Sequence, residues 1–512
     1  MSVSQDPSGP VGEARPPLAR VGLVLGPVLF AALLLWPGLP LEGDQRRVAA
    51  VTAWTAAWWI TAAVPIGAAS LLPAALLPLC GVLGGREVAP LYMHDLVFLF
   101  LGAFVIALGL QRWGVHRRIA FWIISRVGPR PRNLVLGFML ASAFLSMWIS
   151  NTSTTLMLLP IAVAVVSSLD GDAEGRSPFA LSLLLGVAYA ASIGGIGTLV
   201  GTPTNQVFAG QFAEAFPDAE SIDFTRWLVA WFPLTALFLP LAWVLLTRVA
   251  IRVPRDGARG AEAVREARAR LGPMSGPERW MAGIFVTTAV LWVTRPGVDF
   301  GILRLPGWGS MVAPKGFVTD ATVAGAMAIL TFLIPVDRAR GVYLMDWRTA
   351  AKLPWEVLLL LGAGFTIAGA FKSSGLDAVL GEALGPLLAG RSTWIVVLVI
   401  VAAVALLTEI TSNVATTAVL LPVLGQAAVS AGISPLFTML PATVAASAAF
   451  MLPVATPPNA VVFSSRLVPA PQMARVGAFL NVATVVLVTL VFQLWVRRFL
   501  GIDLEVPDWA LK

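Results

Sequence analysis

Two short polar segments, each set between long apolar runs, carry the residue types that could do chemistry in this chain. The first covers residues 150–155 and reads SNTSTT, and the second covers residues 412–417 and reads SNVATT. In both copies a proline follows the serine at a distance of ten residues, at Pro160 and Pro422. Such a segment is costly inside lipid, because every polar group there needs a hydrogen-bond partner. The matched spacing therefore indicates a duplicated site.

The chemistry that these segments favour is the binding of an anion at the start of a helix. The apolar run after each Ser-Asn pair predicts a helix whose first amides lack intrahelical partners and whose end carries about half a unit of positive charge. Ser, Asn and Thr are the preferred caps of such an end, and it binds carboxylate, phosphate or sulfate without a charged side chain. Neither segment contains Lys or Arg. The alternative is that these residues only cap and pack buried helix ends.

A second motif recurs after each polar segment and predicts sites for cations. Residues 201–205 read GTPTN, and residues 455–459 read ATPPN. Proline removes an amide donor and breaks the helical ladder, so backbone carbonyl oxygens become free beside threonine and asparagine side chains. Hard cations bind such oxygens. Each half of the chain therefore offers donors for an anion next to oxygens for a cation such as sodium.

The elements that must position these motifs also repeat. Residues 102–104 (GAF) and 362–364 (GAG) lie in apolar stretches, each 48–50 residues before its Ser-Asn pair. Each half therefore predicts an apolar span, a re-entrant hairpin with the polar segment at its tip, and a span broken at Thr-Pro-x-Asn. Inverted halves with interrupted helices are typical of secondary transporters, whose site lies at the interface of the repeats near mid-membrane.

The composition supports a membrane protein and excludes several kinds of site. Of the 512 residues, 57% are hydrophobic and 12% are charged, and the mean hydropathy is +0.82, whereas soluble proteins have about 25% charged residues. The single cysteine, Cys80, excludes an internal disulfide, and two histidines, His94 and His116, are too few for a multi-histidine metal site. The net charge of +7 is explained by arginines in cytoplasmic loops, so we expect no nucleic-acid partner.

Apolar runs of about 17–25 residues predict eleven transmembrane spans and two hairpins after a flexible tail at residues 1–17. The spans are predicted near 18–37, 47–64, 66–84, 93–112, 178–200, 227–249, 280–295, 320–336, 354–371, 436–454 and 474–496, and the hairpins at 133–168 and 393–430. If the N-terminus is cytoplasmic and each hairpin enters and leaves on one side, the arginine-rich loop 251–279 lies inside and the acidic segment 211–225 lies outside, as the positive-inside rule requires. Hairpins that crossed fully would put that loop outside. The hairpins then enter from opposite faces, and the sequence predicts an all-α polytopic membrane protein with inverted repeats and an outside C-terminus.

At these motifs the chain resembles the divalent-anion/sodium symporter family, which includes sodium-dependent dicarboxylate and citrate transporters. The resemblance rests on residues 150–152, 201–203, 408–413 and 455–457, and it covers nearly the whole chain after the tail. It implies a homodimer of elevator-type transporters with eleven transmembrane helices plus two re-entrant hairpins, in which a transport domain moves against a scaffold. The implied scaffold covers 18–132 and 280–392, and the implied transport domain covers 133–250 and 393–512, with the basic loop 251–279 between the halves.

The resemblance also implies a set of residues for each ligand. The first sodium site is implied at Ser146, Ser150, Asn151 and Gly201, and the second at Thr408, Thr411, Asn413 and Ala455. The substrate is implied to meet Asn151, Thr152, Thr202, Pro203, Ser412, Asn413, Val414, Thr456 and Pro457. In both sodium sets a hydroxyl residue lies five positions before the asparagine, so the repeat supports the pairing independently. Val414 stands where dicarboxylate carriers of the family often have threonine, which leaves a tricarboxylate or another anion open.

The leading hypothesis is a secondary active transporter in the plasma membrane that carries a di- or tricarboxylate inward with sodium. An anion exchanger or a proton-coupled carrier on the same scaffold is the alternative. Glu409, a carboxylate within an apolar hairpin, is either a proton-coupling group or a structural support for the tip. An intramembrane enzyme with Ser150 or Ser412 as nucleophile would need a base, usually histidine, and both histidines are predicted at span margins, so no catalytic residue is assigned.

Overall fold

The described part of the protein is mostly helical and has very little strand. The computed structural model describes residues 17–170, 177–254, 260–299, 304–314 and 316–511, so most of the predicted tail at 1–17 lies outside the described residues. Strands in these ranges form two short antiparallel pairs, which are Gly297–Asp299 (β1) with Arg304–Pro306 (β2) and Pro335–Asp337 (β3) with Val342–Tyr343 (β4). The predicted all-α fold is confirmed.

Two runs of helices with the same order form the two repeats. The first run is α6 (Asp95–Arg112), α7 (Val115–Val127), α8 (Pro131–Ser146), α9 (Asn151–Asp170), α10 (Pro178–Ile196), α11 (Pro203–Ala215) and α12 (Phe224–Val244). The second run is α18 (Trp355–Ser374), α19 (Leu376–Leu388), α20 (Thr393–Leu407), α21 (Asn413–Ser430), α22 (Leu436–Ala446), α23 (Pro457–Ser464) and α24 (Ala470–Val491). In each run a long helix and a shorter one lead into a hairpin, which is followed by a broken span and a last long helix.

The remaining helices precede or separate the repeats. They are α1 (Pro17–Leu35), α2 (Gly43–Thr61), α3 (Ile66–Ala69), α4 (Leu72–Leu79) and α5 (Gly85–Tyr92) before the first repeat, and α13 (Gly260–Ala269), α14 (Gly276–Thr294), α15 (Trp308–Val312), α16 (Asp320–Leu333) and α17 (Trp347–Ala350) between the repeats. A short helix, α25 (Arg497–Phe499), and a 3₁₀ turn at Asp508–Ala510 end the described chain.

Two local features show that the repeats match in backbone detail. Gly114 joins α6 to α7 with φ 75°, and Gly375 joins α18 to α19 with φ 70°. Residues other than glycine rarely adopt this left-handed conformation, so the same turn is built by the same residue type in both halves. The last helix of each repeat also ends in a π-helical turn, at Leu245–Val249 and at Phe492–Val496.

Ion pairs and capping contacts group the loops as the predicted topology requires. Arg118 Nε lies 2.6 Å from Glu278 Oε1, which joins two segments predicted on the inside. Lys372 Nζ donates to Ala215 O at 3.0 Å, which joins two segments predicted on the outside. The first contact also brings the loop before α14 to the end of the molecule where α7 lies. This arrangement fits a first hairpin that returns to the side from which it started.

The helices coincide with the predicted spans, but several are short or interrupted. By length and composition, seven of the described helices are able to cross a membrane, or eight if the pair Leu376–Leu388 and Thr393–Leu407, bent by 117°, counts as one span. Apolar helices such as Ile66–Leu79 and Leu436–Ala446 are shorter than a membrane crossing, because proline and polar residues interrupt the predicted spans there. The multi-pass membrane fold is confirmed, and the number of eleven crossings stays a prediction.

Helix α10 forms the centre of the molecule and positions the first break. Every residue from 179 to 196 on this helix is buried, as expected for a helix that is apolar on all sides. It packs against both helices of the first hairpin and against α23 of the other repeat. The loop that follows it, between Ile196 and Pro203, therefore lies inside the protein and not at its surface.

Candidate functional site

The second helix of each hairpin packs against the broken span of the opposite repeat. Helix α9 contacts α23, and α21 contacts α11. The two breaks are also joined directly, because the hydroxyls of Thr204 and Ser447 share a hydrogen bond of 2.5 Å. All four of these helices begin at a Ser-Asn or Thr-Pro motif.

At the first hairpin tip, oxygen atoms from three separate stretches of chain approach one another. One of the two terminal atoms of the Asn151 carboxamide contacts Ser146 Oγ. The same atom lies 3.2 Å from Ala191 O and 3.3 Å from Gly201 O. Oxygens this close require either the amide nitrogen of Asn151 or a cation among them, because acceptors without a donor repel one another. This cluster of neutral oxygens is the kind of ligand set that a hard cation prefers.

Two glycines make this close approach feasible. A Cβ atom on Gly195 would lie 2.7 Å from Asn151 Oδ1, and a Cβ atom on Gly201 would lie 2.5 Å from Gly195 O. A larger residue at 195 would displace the Asn151 side chain, and a larger residue at 201 would require movement of the backbone. Gly201 was predicted as a ligand, whereas Gly195 was not singled out in the sequence, although it belongs to a Gly-Gly pair beside the break.

Ser150 differs from its neighbours, since its side chain caps α9. Its Oγ accepts the amide of Ser153 at 3.2 Å and lies 2.9 Å from Ser153 Oγ. Of the four residues in the first predicted sodium set, the structure brings Ser146, Asn151 and Gly201 together and uses the Ser150 hydroxyl at the helix start. Thr152 follows Asn151 in the first turn and is half-buried.

The asparagine of each Thr-Pro-x-Asn motif donates hydrogen bonds to backbone carbonyl groups at the start of the break that precedes it. Asn205 Nδ2 donates to Gly195 O at 3.1 Å and to Thr198 O at 2.8 Å. Asn459 Nδ2 donates to Ala449 O at 3.3 Å and to Leu452 O at 3.1 Å. The acceptors lie ten and seven residues before the asparagine in both repeats, so the two loops have the same internal bonding.

Both breaks end in helix starts with a threonine at the cap position, although only Thr456 accepts a helix amide, that of Asn459, with its side chain. Thr202 and Thr456 are buried and have extended backbones as the caps of α11 and α23, and Pro203 and Pro457 take the first helical position. Proline is favoured there because its missing amide hydrogen is not needed in the first turn. These four residues, which the sequence analysis placed at the substrate, therefore define where each second half-helix begins.

The second hairpin tip shows a capped helix start and a buried acceptor. Ser412 Oγ accepts the amide of Ala415 at 3.4 Å and caps α21. Asn413 Oδ1 is buried and has no hydrogen-bond partner among the described residues. A buried carbonyl oxygen left unpaired is costly, which makes Asn413 a fitting ligand for a cation. Val414 follows in the first turn, packed against the main apolar core.

The two threonines of the second predicted sodium set bond within their own hairpin. Thr408 Oγ1 donates to Val404 O at 3.0 Å, and Thr411 Oγ1 donates to Leu407 O at 2.8 Å and lies 2.7 Å from Thr416 Oγ1. A hydroxyl that donates to the backbone retains lone pairs for another partner. Ala455 lies at the break and is buried. This set is thus less closely gathered than the first one.

The carboxylate of Glu409 binds the backbone of the second break. Its carboxylate accepts the amides of Phe450 at 2.8 Å, Met451 at 3.0 Å and Leu452 at 3.0 Å, and also Asn481 Nδ2 at 2.7 Å. All of these groups donate to the carboxylate, so its oxygens are occupied as those of an anion would be. This bonding favours the structural interpretation of Glu409 over the proton-coupling one. Asn481, on the last long helix, was not singled out in the sequence, where it looks like any polar residue in an apolar helix.

Charged metal ligands are not concentrated anywhere in the described ranges. No group of three or more His, Cys, Asp and Glu side chains that could hold a metal ion occurs there. The oxygens at the tips and breaks are neutral, apart from Glu409, and monovalent hard cations suit such oxygens better than transition metals do.

Comparison with known proteins gives concordant results. The family model described as "Sodium:sulfate symporter transmembrane region" matches residues 21–502. The chain is 40% identical over 496 residues to a protein of Staphylococcus saprophyticus named sodium-dependent dicarboxylate transporter SdcS, covering 95% of this chain and 93% of the relative. The proteins of that name from Staphylococcus aureus are 38% identical over 498 residues.

Two solved structures share the fold at low sequence identity. Neisseria gonorrhoeae MtrF, described as illuminating a class of antimetabolite efflux pumps, superposes with a TM-score of 0.58 at 12% identity, covering 94% of this chain and 96% of that chain. The Alcanivorax borkumensis YdaH transporter superposes with a TM-score of 0.55 at 16% identity, covering 82% and 87%. At these identities the likeness concerns the fold alone.

Proposed function

This chain belongs to the sodium:sulfate symporter family, a family of membrane transporters and not of enzymes, and on that premise we propose that it couples the inward movement of a dicarboxylate to sodium. The relatives at 38–40% identity are named for sodium-dependent dicarboxylate transport. A dicarboxylate has two anionic ends, and the hairpins supply two capped helix starts with uncharged donors. Each start would take one carboxylate.

The oxygen cluster at the first tip is the observation that carries this proposal. Asn151 places one end of its amide against Ser146 Oγ, Ala191 O and Gly201 O, and with its carbonyl oxygen at that end these four oxygens would bind a sodium ion. The same residue opens α9, whose first amides face the anion. Sodium binding would therefore order the helix start that binds substrate, and this shared residue couples the two ligands. Asn413 would have the same double role in the second repeat, together with Ser412, Val414, Thr408, Thr411 and Ala455.

Uptake into proteoliposomes tests the coupling. Purified protein is reconstituted, and the uptake of radiolabelled succinate is followed under an inward sodium gradient, under an equal potassium gradient, and under an inward proton gradient without sodium. We expect accumulation only with sodium, and competition by malate. Uptake that needs internal dicarboxylate and ignores sodium would identify an exchanger, and uptake driven by protons would identify a proton-coupled carrier; either result would overturn the proposal.

We further propose that transport follows an elevator mechanism, with residues 133–250 and 393–512 moving against 18–132 and 280–392. Helices α11 and α21 of the moving part pack against α18 of the static part. A Cβ atom on Gly364 would lie 3.4 Å from the Cβ atom of Ala418 across that boundary, which is close to the separation of about 3.5–4.5 Å in disulfides.

A cysteine pair across this boundary tests the movement. In a Cys80→Ser background, Gly364→Cys with Ala418→Cys should cross-link on oxidation and stop transport, and reduction should restore it. The matched control is Gly67→Cys with Glu356→Cys, whose Cβ atoms lie 3.3 Å apart within the static part, so its cross-link should leave transport intact. Undiminished transport by the cross-linked boundary pair would refute the elevator.

Three further parts of the proposal concern the setting of the protein. We place it in the plasma membrane, surrounded by lipid, with a cytoplasmic N-terminus and an outside C-terminus, since the positive-inside rule favours that orientation. We also propose a homodimer, in which the static parts form the contact. Cross-linking in native membranes followed by mass measurement tests the dimer.

A further inference from the structure

Three charged side chains meet where the outer ends of α12, α14 and α16 come together. Arg295 follows α14, and its Nε lies 2.6 Å from Asp320 Oδ1 while its Nη2 lies 3.3 Å from Asp223 Oδ2. The three side chains are only 16%, 7% and 16% exposed, respectively. They form a largely desolvated set of one cation and two anions, which we name the outer triad.

Backbone groups complete the outer triad and tie the start of α12 to its neighbours. Asp223 caps α12 by accepting the amide of Arg226 at 2.9 Å. The amide of Phe224, the residue that follows Asp223, donates to Asp320 Oδ2 at 3.0 Å. Thr225 Oγ1 donates to Trp292 O at 3.2 Å. Residues 223–225, which are the cap and the first two residues of α12, are therefore bonded to the segment that follows α14, to α16 and to α14, respectively.

Aromatic rings extend this contact to the first hairpin tip. The ring of Phe224 lies 4.9 Å from that of Trp292 and 5.8 Å from that of Trp148, and Trp148 lies 5.0 Å from Phe285. Trp148 belongs to the turn between α8 and α9, three residues before Asn151. The tip and the outer triad thus share one packed cluster.

The outer triad crosses the boundary between the two parts that the proposed elevator separates. Asp223 belongs to the moving part, whereas Arg295 and Asp320 belong to the static part. Apolar surfaces slide past one another at small cost, but removing one member of a buried charge set leaves the others uncompensated, which is strongly unfavourable. Any displacement of α12 along α14 must therefore break the contacts of Asp223 and of the Phe224 amide.

We propose that the outer triad is a latch that holds the transport part in the arrangement seen here, and that its opening limits the movement of that part. This inference rests on the proposed elevator mechanism, but it does not depend on which anion is carried. Arg295 is the positioning residue, because it binds both carboxylates at once and does not touch the tip residues. The latch predicts that weakening the outer triad raises the population of the displaced arrangement while the fold is retained.

The rate at which a buried thiol reacts measures that population. In the Cys80→Ser background, Ala418→Cys places a thiol at a position with no exposure on the boundary with α18. N-ethylmaleimide can reach it only when α21 moves away from α18, so the alkylation rate of the reconstituted protein is proportional to the displaced population. We expect Arg295→Gln to raise that rate about tenfold or more, given the large penalty for breaking a buried charge set.

Two further variants separate a latch from general destabilisation. Asp223→Asn keeps a good helix cap but removes one negative charge. Like Arg295→Gln, it should raise the alkylation rate. Arg118→Gln removes a partly buried ion pair of equal length, 2.6 Å to Glu278, whose two partners both lie outside the moving part, and it should leave the rate unchanged. Equal rates in Arg295→Gln, Asp223→Asn and the parent, or the same increase in Arg118→Gln, would overturn the latch. Transport by the cross-linked pair at residues 364 and 418 would instead overturn the elevator.

Discussion

Replacing Glu409 with glutamine is the most informative single change at the site, because it alters charge with almost no change in shape. The carboxylate accepts five hydrogen bonds from four groups, and three of those groups are the amides of residues 450–452. Glutamine keeps one acceptor oxygen and turns the other position into a donor that faces amide hydrogens. At least one of these buried amides then loses its acceptor.

The size of the effect follows from these bonds. A hydrogen bond to a charged group contributes about 1.5–3 kcal/mol, and a buried donor left unpaired costs about 1–3 kcal/mol. Together these terms destabilise the ordered loop by about 2.5–6 kcal/mol. The loop leads directly to Ala455 in the second predicted sodium set, so the binding-competent fraction falls, and the apparent affinity for sodium falls in proportion. A loss of about 3 kcal/mol corresponds to about a hundredfold change.

The assay is the sodium dependence of succinate uptake at fixed substrate, paired with thermal unfolding in sodium and in potassium. We expect Glu409→Gln to raise the half-saturating sodium concentration by about a hundredfold or more and to lose most of the stabilisation by sodium. Glu278→Gln is the matched control, since that carboxylate is also buried and paired, with Arg118, but lies in the first turn of α14. A half-saturating concentration that stays at the parent value in Glu409→Gln would refute the reasoning.

Four other changes test neighbouring parts of the site. Gly195→Ala should abolish sodium-stimulated uptake while the protein still elutes as a folded particle, because the added Cβ atom would meet Asn151 Oδ1 at 2.7 Å; wild-type uptake would contradict this packing. Asn151→Ala should also stop uptake, and a thermal shift with sodium that persists in this variant would place the ion elsewhere. Asn459→Ala should lower the melting temperature through about 1–3 kcal/mol of lost bonding at the second break, as read by thermal unfolding. Val414→Thr adds a hydroxyl at the second tip and should change the ratio of succinate to citrate inhibition constants; an unchanged ratio would remove Val414 from the substrate contact.

The repeated motifs were readable from the sequence because they conflict with their surroundings. Polar residues at 150–155 and Thr-Pro-x-Asn at 201–205 are unfavourable in apolar stretches unless they have partners, and each occurs twice at the same spacing. That conflict, together with arginine placement, was sufficient to predict the hairpins, the broken spans and the grouping of loops. The resemblance to a transporter family added the candidate ligands.

What the sequence could not supply is the partner of each polar group. The donors to Glu409 come from residues 450–452 and from Asn481, which lie 41 to 72 positions away, and no local pattern encodes such a pairing. The direction of a hydroxyl is equally a tertiary property, since Ser146 turns toward Asn151 while Thr408 turns back to its own helix.

The sequence by itself determined that this chain is a membrane protein with two matched sets of interrupted helices, because hydropathy and residue spacing are local quantities. Only the tertiary structure decided which oxygens meet, since hydrogen bonds and ion pairs depend on distances of a few ångströms between segments that are remote in the chain. Arg295 illustrates the difference: in the sequence it is one arginine among many near a span end, and in the folded protein it joins the carboxylates of Asp223 and Asp320, which lie 72 and 25 positions away in the chain.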